Sequence, residues 1–373
     1  MFIIVIDKHY NSVMPKIFLA SILMHRMLLC SSLAQNVVEI NRLLSAYQGK
    51  NPGASLLIVK NGKVLLQRAY GYADLKSQEP VTAATNFRLA SVTKQFTATC
   101  ILQLIDQGKL TLGTTLTEAF PGFPTYGSAM TVKHLLTHTS GIPDYEDYVS
   151  DTAFNPQLRD QGVLTILMQL DSTYFTPGTQ YRYSNSAYAL LALMVEKYTG
   201  KSFAYYLHEH IFHPLGMNHT LAYEAGKEEV TTRAYGYDRY KHLWKLQDQS
   251  STSAVLGDGG IYSNVLDLFK WDQSLYTDKI LPHHWLRVAF SYNHLEDGQT
   301  VNYGYGWHLK RNNKGEEVVY HTGSSTSFRN IFYRIPAQRF SIILLTNRNH
   351  PQEEAMLGLA EKIAEVIYRQ LEN

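Results

Sequence analysis

The chain has 373 residues, 45% hydrophobic and 18% charged, so it reads as globular and can bury a large core as one big domain or two lobes. Its 34 basic and 32 acidic residues leave a formal charge of +2 and are mixed along the whole length, so neither a basic face for nucleic acid nor an acidic tail stands out. The two cysteines, Cys30 and Cys100, cannot build a disulfide framework, and Cys100 reads as a small core residue.

Residues 1–34 read as an N-terminal extension with a secretory signal. From Met14, "MPKIFLASILMHRMLLCSSLAQN" offers a basic start, apolar runs and small residues at Ser32-Leu-Ala34, which predicts cleavage after Ala34. A lipid anchor at Cys30 is disfavoured, since "MLLC" lacks small residues before the cysteine. No later run reaches the ~18 to 20 apolar residues of a membrane span. An exported protein, periplasmic or secreted, without a stable membrane span is therefore expected, with residues 35–373 as its folded domain.

In "ASLLIVKNGKVLLQRAYGYAD", two apolar runs flank Asn61-Gly62, a strong hairpin signal. The middle of the chain carries helical periodicity in "SVTKQFTATCILQLIDQGK", "TVKHLLTHTSG", "SAYALLALMVEKYTGKSFAYYLHEHIF" and "NVLDLFKWDQSLY". Three more strands follow, "EVVYHTG", "SFRNIFYRIP" and "FSIILLTN", and then a helix in "PQEEAMLGLAEKIAEVIYRQLEN". Neither strand region makes a stable sheet alone, so the two must share one antiparallel sheet. The expected fold is α+β: an antiparallel sheet flanked by helices, with a helical lobe over roughly residues 91–250 inserted beside it.

Within "LASVTKQF", Ser91 opens a helix whose apolar residues Phe96, Cys100, Leu104 and Ile105 form one face, with Gly108 placed to end it. Free N–H groups at a helix start favour negative charge. Lys94, three residues on, lies one turn away on the face of the serine hydroxyl. An amine with a depressed pKa can take the proton of an otherwise poor nucleophile. The bland alternative makes Ser91 an N-cap and Lys94 a solvated residue, and the pair alone does not decide between them.

Two further segments keep company with that pair. Tyr183-Ser-Asn185 lies on a loop between a Pro-Gly turn and a helix, where its phenol and amide can face a cleft. The same letters recur at Tyr262-Ser-Asn264, where Ser263 or Asn264 is better explained as a helix cap. His321-Thr322-Gly323 ends a strand, and Gly323 would let an extended substrate approach the strand backbone.

With the motifs in this order, the sequence resembles the serine β-lactamase and penicillin-binding-protein superfamily, in particular its class C-like branch with D-Ala-D-Ala carboxypeptidases and esterases. Over roughly residues 35–373, "HLLTHTSGI", "GGIYSNVLDLFKW", "YGYGW" and "IILLTN" also look like the family. The resemblance implies a cleft between the sheet and a helical lobe. It implies Ser91 as nucleophile forming an acyl-enzyme, with Lys94 and Tyr183 activating it and moving the proton to the leaving group, either being the base. A phenolate base would need Lys94 to lower the Tyr183 pKa from about 10. Asn185 would hold the acyl-side amide of the substrate. The N–H groups of Ser91 and Ser324 would form the oxyanion hole, with His321, Thr322 and Gly323 lining the substrate strand. The SDN loop of class A enzymes is absent, which disfavours that mechanism.

His321 stands where typical β-lactamases carry lysine, so attraction for a β-lactam carboxylate is expected to be weaker. Ester or peptide hydrolysis, on a small-molecule, peptide or cell-wall-derived amide substrate, ranks above class C-like β-lactam hydrolysis. A relative that binds or senses without turnover is the reading from another class. No cofactor or metal is implied: His134 and His138 are four apart, but "HLLTH" lacks the glutamate of HExxH. The histidines of "HEHIFHPLGMNH" read as surface side chains, and most tyrosines as core or cleft wall.

Overall fold

The computed structural model of the chain describes residues 35–150 and 156–371. The secretory signal and Cys30 lie outside them. The chain divides into two units. In one, residues 35–43 are helical and Glu39 pairs with Arg369 at 3.1 Å. The other, Tyr47–Ala360, holds every candidate site residue.

Its first hairpin follows from local chemistry. Strands β1 (Ala54–Lys60) and β2 (Lys63–Tyr70) are joined through Asn61 and Gly62 at φ of 50° and 73°, the two left-handed positions of a tight hairpin turn. Further along come the small hairpin β3 (Tyr237–Tyr240) and β4 (Leu243–Leu246), then β5 (His308–Arg311), β6 (Glu317–Ser325), β7 (Phe328–Ile335) and β8 (Phe340–Thr346). The main sheet is antiparallel in the order β5-β6-β7-β8-β1-β2. Ala54 pairs with Thr346 and Lys60 with Phe340, so the N-terminal hairpin joins the C-terminal strands, as the sequence predicts. Ala54–Val59 are all buried, which explains an unbroken apolar run without alternation: β1 is a central strand covered on both faces.

The helices that bear on the site are α1 (Lys94–Asp106), α2 (Val132–Leu136), α3 (Asp160–Leu167), α4 (Asn185–Thr199), α5 (Leu256–Gly259) and α6 (Val265–Ser274). A continuous set of buried apolar side chains joins sheet and helices, from Leu57 and Ile343 through Phe96 and Leu190 to Trp271. The expectation of one apolar face on α1 is too narrow, because Lys94 through Leu102 are all buried. Two of its polar side chains bond inside: Thr97 Oγ1 donates to the Gly257 carbonyl at 2.7 Å, and Gln95 Oε1 accepts from Trp271 Nε1 at 2.9 Å. Gly306, at φ 80°, brings its loop within 2.7 Å of the Lys94 carbonyl at the point a Cβ would occupy.

Two features differ from the sequence reading, and a third agrees with it. Strand β6 continues to Ser325 rather than ending at Gly323, and β5 pairs beside its first half. A small sheet of Phe87–Arg88, Ile261–Ser263 and Leu221–Ala222 carries the chain into the serine turn. Asn264 caps α6, accepting from the N–H groups of Leu266 and Asp267, so the second Tyr-Ser-Asn is a helix cap. Among the described residues no helix is long and apolar enough to cross a membrane.

Candidate active site

Ser91 lies in a short 3-10 turn, Ala90–Thr93, just ahead of α1. Ala90 has φ 51°, a left-handed conformation that costs a residue with a Cβ about 1 to 2 kcal/mol. Neighbours clamp the turn in place. Leu89 N donates to the Ile261 carbonyl at 2.8 Å, and Asn330 Nδ2 donates to the carbonyls of Arg88 and Leu89 at 2.8 and 3.2 Å. Gly323 belongs to the same clamp. A Cβ there would stand 2.2 Å from the Leu89 carbonyl oxygen, so the missing side chain makes room for the serine segment.

Lys94 is fully buried, and its Nζ donates to Ser91 Oγ at 3.1 Å, Asn185 Oδ1 at 2.8 Å and the Asp258 carbonyl at 2.9 Å. These partners match the three N–H bonds of an ammonium. A neutral amine keeps two of them for Asn185 and Asp258 and turns its lone pair toward the serine. Burial lowers the Lys94 pKa to about 8, against the opposing pull of Asp258, Glu146 and more distant carboxylates. The group therefore changes charge close to neutral pH.

Tyr183 lies beside this amine, with Lys94 Nζ 4.9 Å from its ring centroid. Its buried hydroxyl forms no hydrogen bond of normal geometry. Burial raises its pKa well above 10, the nearby Ser91 hydroxyl being the main opposing influence. A phenolate produced by Lys94 is thus not what this environment favours. The loop bearing Tyr183 is held from the "HTSG" segment: the His138 carbonyl accepts from Arg182 N at 2.9 Å, and its Nδ1 accepts from Ser184 N at 3.1 Å. Ser184 in turn caps α4, which starts with Asn185.

Ser91, Asn185 and Ser324 line one cavity of about 460 Å³, together with Arg88, Glu146 and Asp258. His321 is placed differently from the expectation. It is 1% exposed, its Nε2 meets the Tyr303 hydroxyl at 2.9 Å and its Nδ1 the Thr322 carbonyl at 2.6 Å. Burial holds it well below 6.5, as it does His138, and brings His308 down to about 4. Three neutral imidazoles thus back the site. Thr322 Oγ1 donates to Glu353 at 2.6 Å.

The family model described as Beta-lactamase matches residues 33–365. The chain belongs to the Beta-lactamase family. It is 33% identical over 324 residues to Penicillin-binding protein 4* of Bacillus subtilis (strain 168), covering 83% of this chain and 71% of that protein. Against Protein flp of Staphylococcus aureus (strain MW2) it is 29% identical, covering 81% of this chain and 61% of that protein. Among solved structures, the octameric penicillin-binding protein homologue from Pyrococcus abyssi superposes with a TM-score of 0.72 at 27% identity, over 90% of this chain and 77% of that one. D-amino acid amidase from Ochrobactrum anthropi SV3 gives 0.75 at 24% identity, over 91% and 99%, a likeness of fold. These neighbours share the Beta-lactamase-family architecture, an antiparallel sheet with helices, so the α+β expectation stands.

Sequence reading of this Beta-lactamase-family chain missed several residues around the serine. Tyr145 donates to Asp258 Oδ2 at 2.7 Å, and Asp144 accepts from Asn185 N at 3.0 Å. Burial and neighbouring carboxylates push the Glu146 carboxyl up to about 7, and burial raises Asp258 to about 6. The acid-rich "PDYED" after "HTSGI" was the available signal for Asp144, Tyr145 and Glu146. Nothing local marks Arg88, which is buried, donates to the Ser253 carbonyl at 2.8 Å and leaves its Nε and Nη1 without partners.

Proposed function

We propose that the chain is a serine hydrolase that acts by acyl transfer through Ser91 on a small ester, a peptide or a cell-wall-derived amide. The observation that carries this reading is the buried Lys94 amine, bonded to Ser91 Oγ and able to lose its proton near neutral pH. In the first step the Ser91 oxygen attacks the substrate carbonyl while its proton passes to Lys94. The N–H groups of Ser91 and Ser324 receive the charge that develops on the carbonyl oxygen. Tyr183, held as a neutral phenol, donates its proton to the leaving amine or alcohol and is reprotonated from Lys94. Asn185 positions the acyl side. Water then attacks the ester carbonyl and restores the Ser91 hydroxyl.

Substrate choice rests on His321, which is neutral and buried and so supplies no cation for a β-lactam carboxylate. Ester or amide hydrolysis therefore stands ahead of β-lactam hydrolysis. The name of one neighbour in fold, a D-amino acid amidase, suggests an amide with a D-configured residue as the substrate to try first. The reading of residues 14–34 as a leader puts the encounter outside the cytoplasm.

Labelling decides the nucleophile. A fluorophosphonate or fluorescent penicillin is expected to add one mass increment to the Ser91 peptide and none to Ser91→Ala, read by intact-mass and peptide mass spectrometry. Equal labelling of the variant removes Ser91 from the mechanism. Tyr183→Phe gives a separate check on the proton route. The lost hydroxyl forms no hydrogen bond of normal geometry, so the melting temperature should hold within the effect of about 1 kcal/mol, while kcat on an amide falls by about 10² to 10⁴. Unchanged kcat would exclude the phenol from proton transfer.

A further inference from the structure

We propose that the β3–β4 hairpin docks the protein on an anionic lipid surface beside the active-site cavity. Its tip is apolar and open: Tyr240 and Leu243 are 54% and 71% exposed, and Leu246, paired with Tyr237 at the base, is 61% exposed. The register pairs Tyr240 with Leu243 and Asp238 with Lys245, so the tyrosine and leucine share one face at the turn. Two lysines stand beside the tyrosine, and Arg239 lies on the opposite face with Trp244. Lys245 Nζ lies 4.0 Å and Lys241 Nζ 5.7 Å from the Tyr240 ring centroid, and Arg239 lies 5.9 Å from that of Trp244. Among the described residues none of the three is in an ion pair, and the hairpin's one acid, Asp238, accepts from Ser327 Oγ instead.

Tyrosine and leucine at a tip, rimmed by lysine and arginine, match the border between headgroups and acyl chains. The rings and leucines enter the apolar side while the long cations reach back to anionic headgroups. Charge argues against a second copy of this chain, since a two-fold contact through the hairpin would set three cations against three. A soluble polyanion would use the cations and leave Leu243 and Tyr240 without a role.

Position gives the docking a consequence. Gly236 lies against Ser327 and Phe328, whose side chains stand 2.9 Å from the site its Cβ would occupy. With the Asp238–Ser327 bond, this fixes the hairpin base to the turn after β6. The same turn carries Ser325 and Thr326, which line the cavity with Ser91. A surface-bound protein would thus hold that cavity near the interface. The docking itself does not depend on the proposed chemistry, and its test measures binding alone.

The test is flotation of the full chain with vesicles of phosphatidylcholine alone and of phosphatidylcholine with phosphatidylglycerol, at low and high salt. Binding is expected only with the anionic vesicles, and it should weaken as salt screens the charges. The double variant Lys241→Glu/Lys245→Glu should lower the partition coefficient by about 25-fold or more. Tyr240→Ser/Leu243→Ser should lower it by about tenfold. Both variants should keep the wild-type circular dichroism and melting temperature. Absent or equal binding to the two vesicle types overturns the proposal. So does binding that survives either variant, or a wild-type dimer that the hairpin variants dissolve.

Discussion

Replacing Lys94 by methionine is expected to lower kcat/KM by about 10³-fold or more without lowering the melting temperature at pH 7. The rate loss follows from removing the base bonded to Ser91 Oγ at 3.1 Å. The stability side follows from linkage. In the unfolded chain a lysine titrates at its ordinary 10.5; burial in the fold lowers Lys94 to about 8. Below pH 8 both states are charged, and the fold bears the full cost of the buried cation, about 3 kcal/mol. Between pH 8 and 10.5 the folded state releases its proton first and the cost fades. Methionine abolishes that cost and gives up three hydrogen bonds of about 1 kcal/mol each. The variant should therefore match or exceed wild type at pH 7 and lose ground to it as pH rises toward 10. Wild-type kcat/KM should rise through a limb near pH 8. A variant that melts clearly lower at pH 7, or a rate profile flat from pH 6 to 9, contradicts Lys94 as a buried base.

The depressed Lys94 and the three neutral imidazoles have a common cause. His138, His308 and His321 gather around the Tyr183 ring at centroid distances of 4.3, 6.2 and 6.2 Å. For His308, as for the other two, burial is the larger influence and the Lys94 charge adds to it. The site thus carries one titratable cation at neutral pH, placed on the serine. A lysine at position 321 would add a second and push the first further down.

Much of this was legible because it is local. Asn61-Gly62 announces its turn, and the spacing of Ser91 and Lys94 places their side chains one helical turn apart. Tyr183 and Asn185 were legible through the helix that Ser184 caps. The third partner of Lys94 was not legible, because the Asp258 carbonyl is 164 positions away and a backbone acceptor leaves no mark on composition. Gly323 signalled that something comes close, yet nothing said that it would be Leu89. The inward turn of His321 was open to strand arithmetic. Positions 321 and 324 differ by an odd number, so on one strand their side chains point to opposite faces. Ser324 lines the cavity, and His321 lies beneath it.

Asp272→Asn is expected to cost about 3 to 5 kcal/mol of stability while leaving catalysis by the folded protein intact. Asp272 on α6 and Arg334 on β7 are 1% and 0% exposed by side chain, joined at 2.8 Å from Nε to Oδ1. Among the described residues Nη1 and Nη2 of Arg334 make no hydrogen bond of normal geometry, the Tyr276 hydroxyl being their polar neighbour. What surrounds the guanidinium is aromatic: the ring centroids of Tyr276, Phe290 and Trp307 lie 4.8, 5.6 and 5.9 Å away. Ring faces contribute about 2 kcal/mol to a desolvated cation, less than the several kcal/mol that an uncompensated buried charge costs. Neutralising Asp272 keeps the side-chain shape and strands that charge at the join between α6 and the sheet. A fall in melting temperature of roughly 4 to 7 °C should follow. Replacing both residues, as Asp272→Leu/Arg334→Met, should recover most of the loss, because well-packed apolar groups substitute for a buried pair at little cost. Calorimetry on the two variants separates the cases. If the single variant loses less than about 1 kcal/mol, or the double variant melts below the single one, the pair is not what fixes the helix to the sheet.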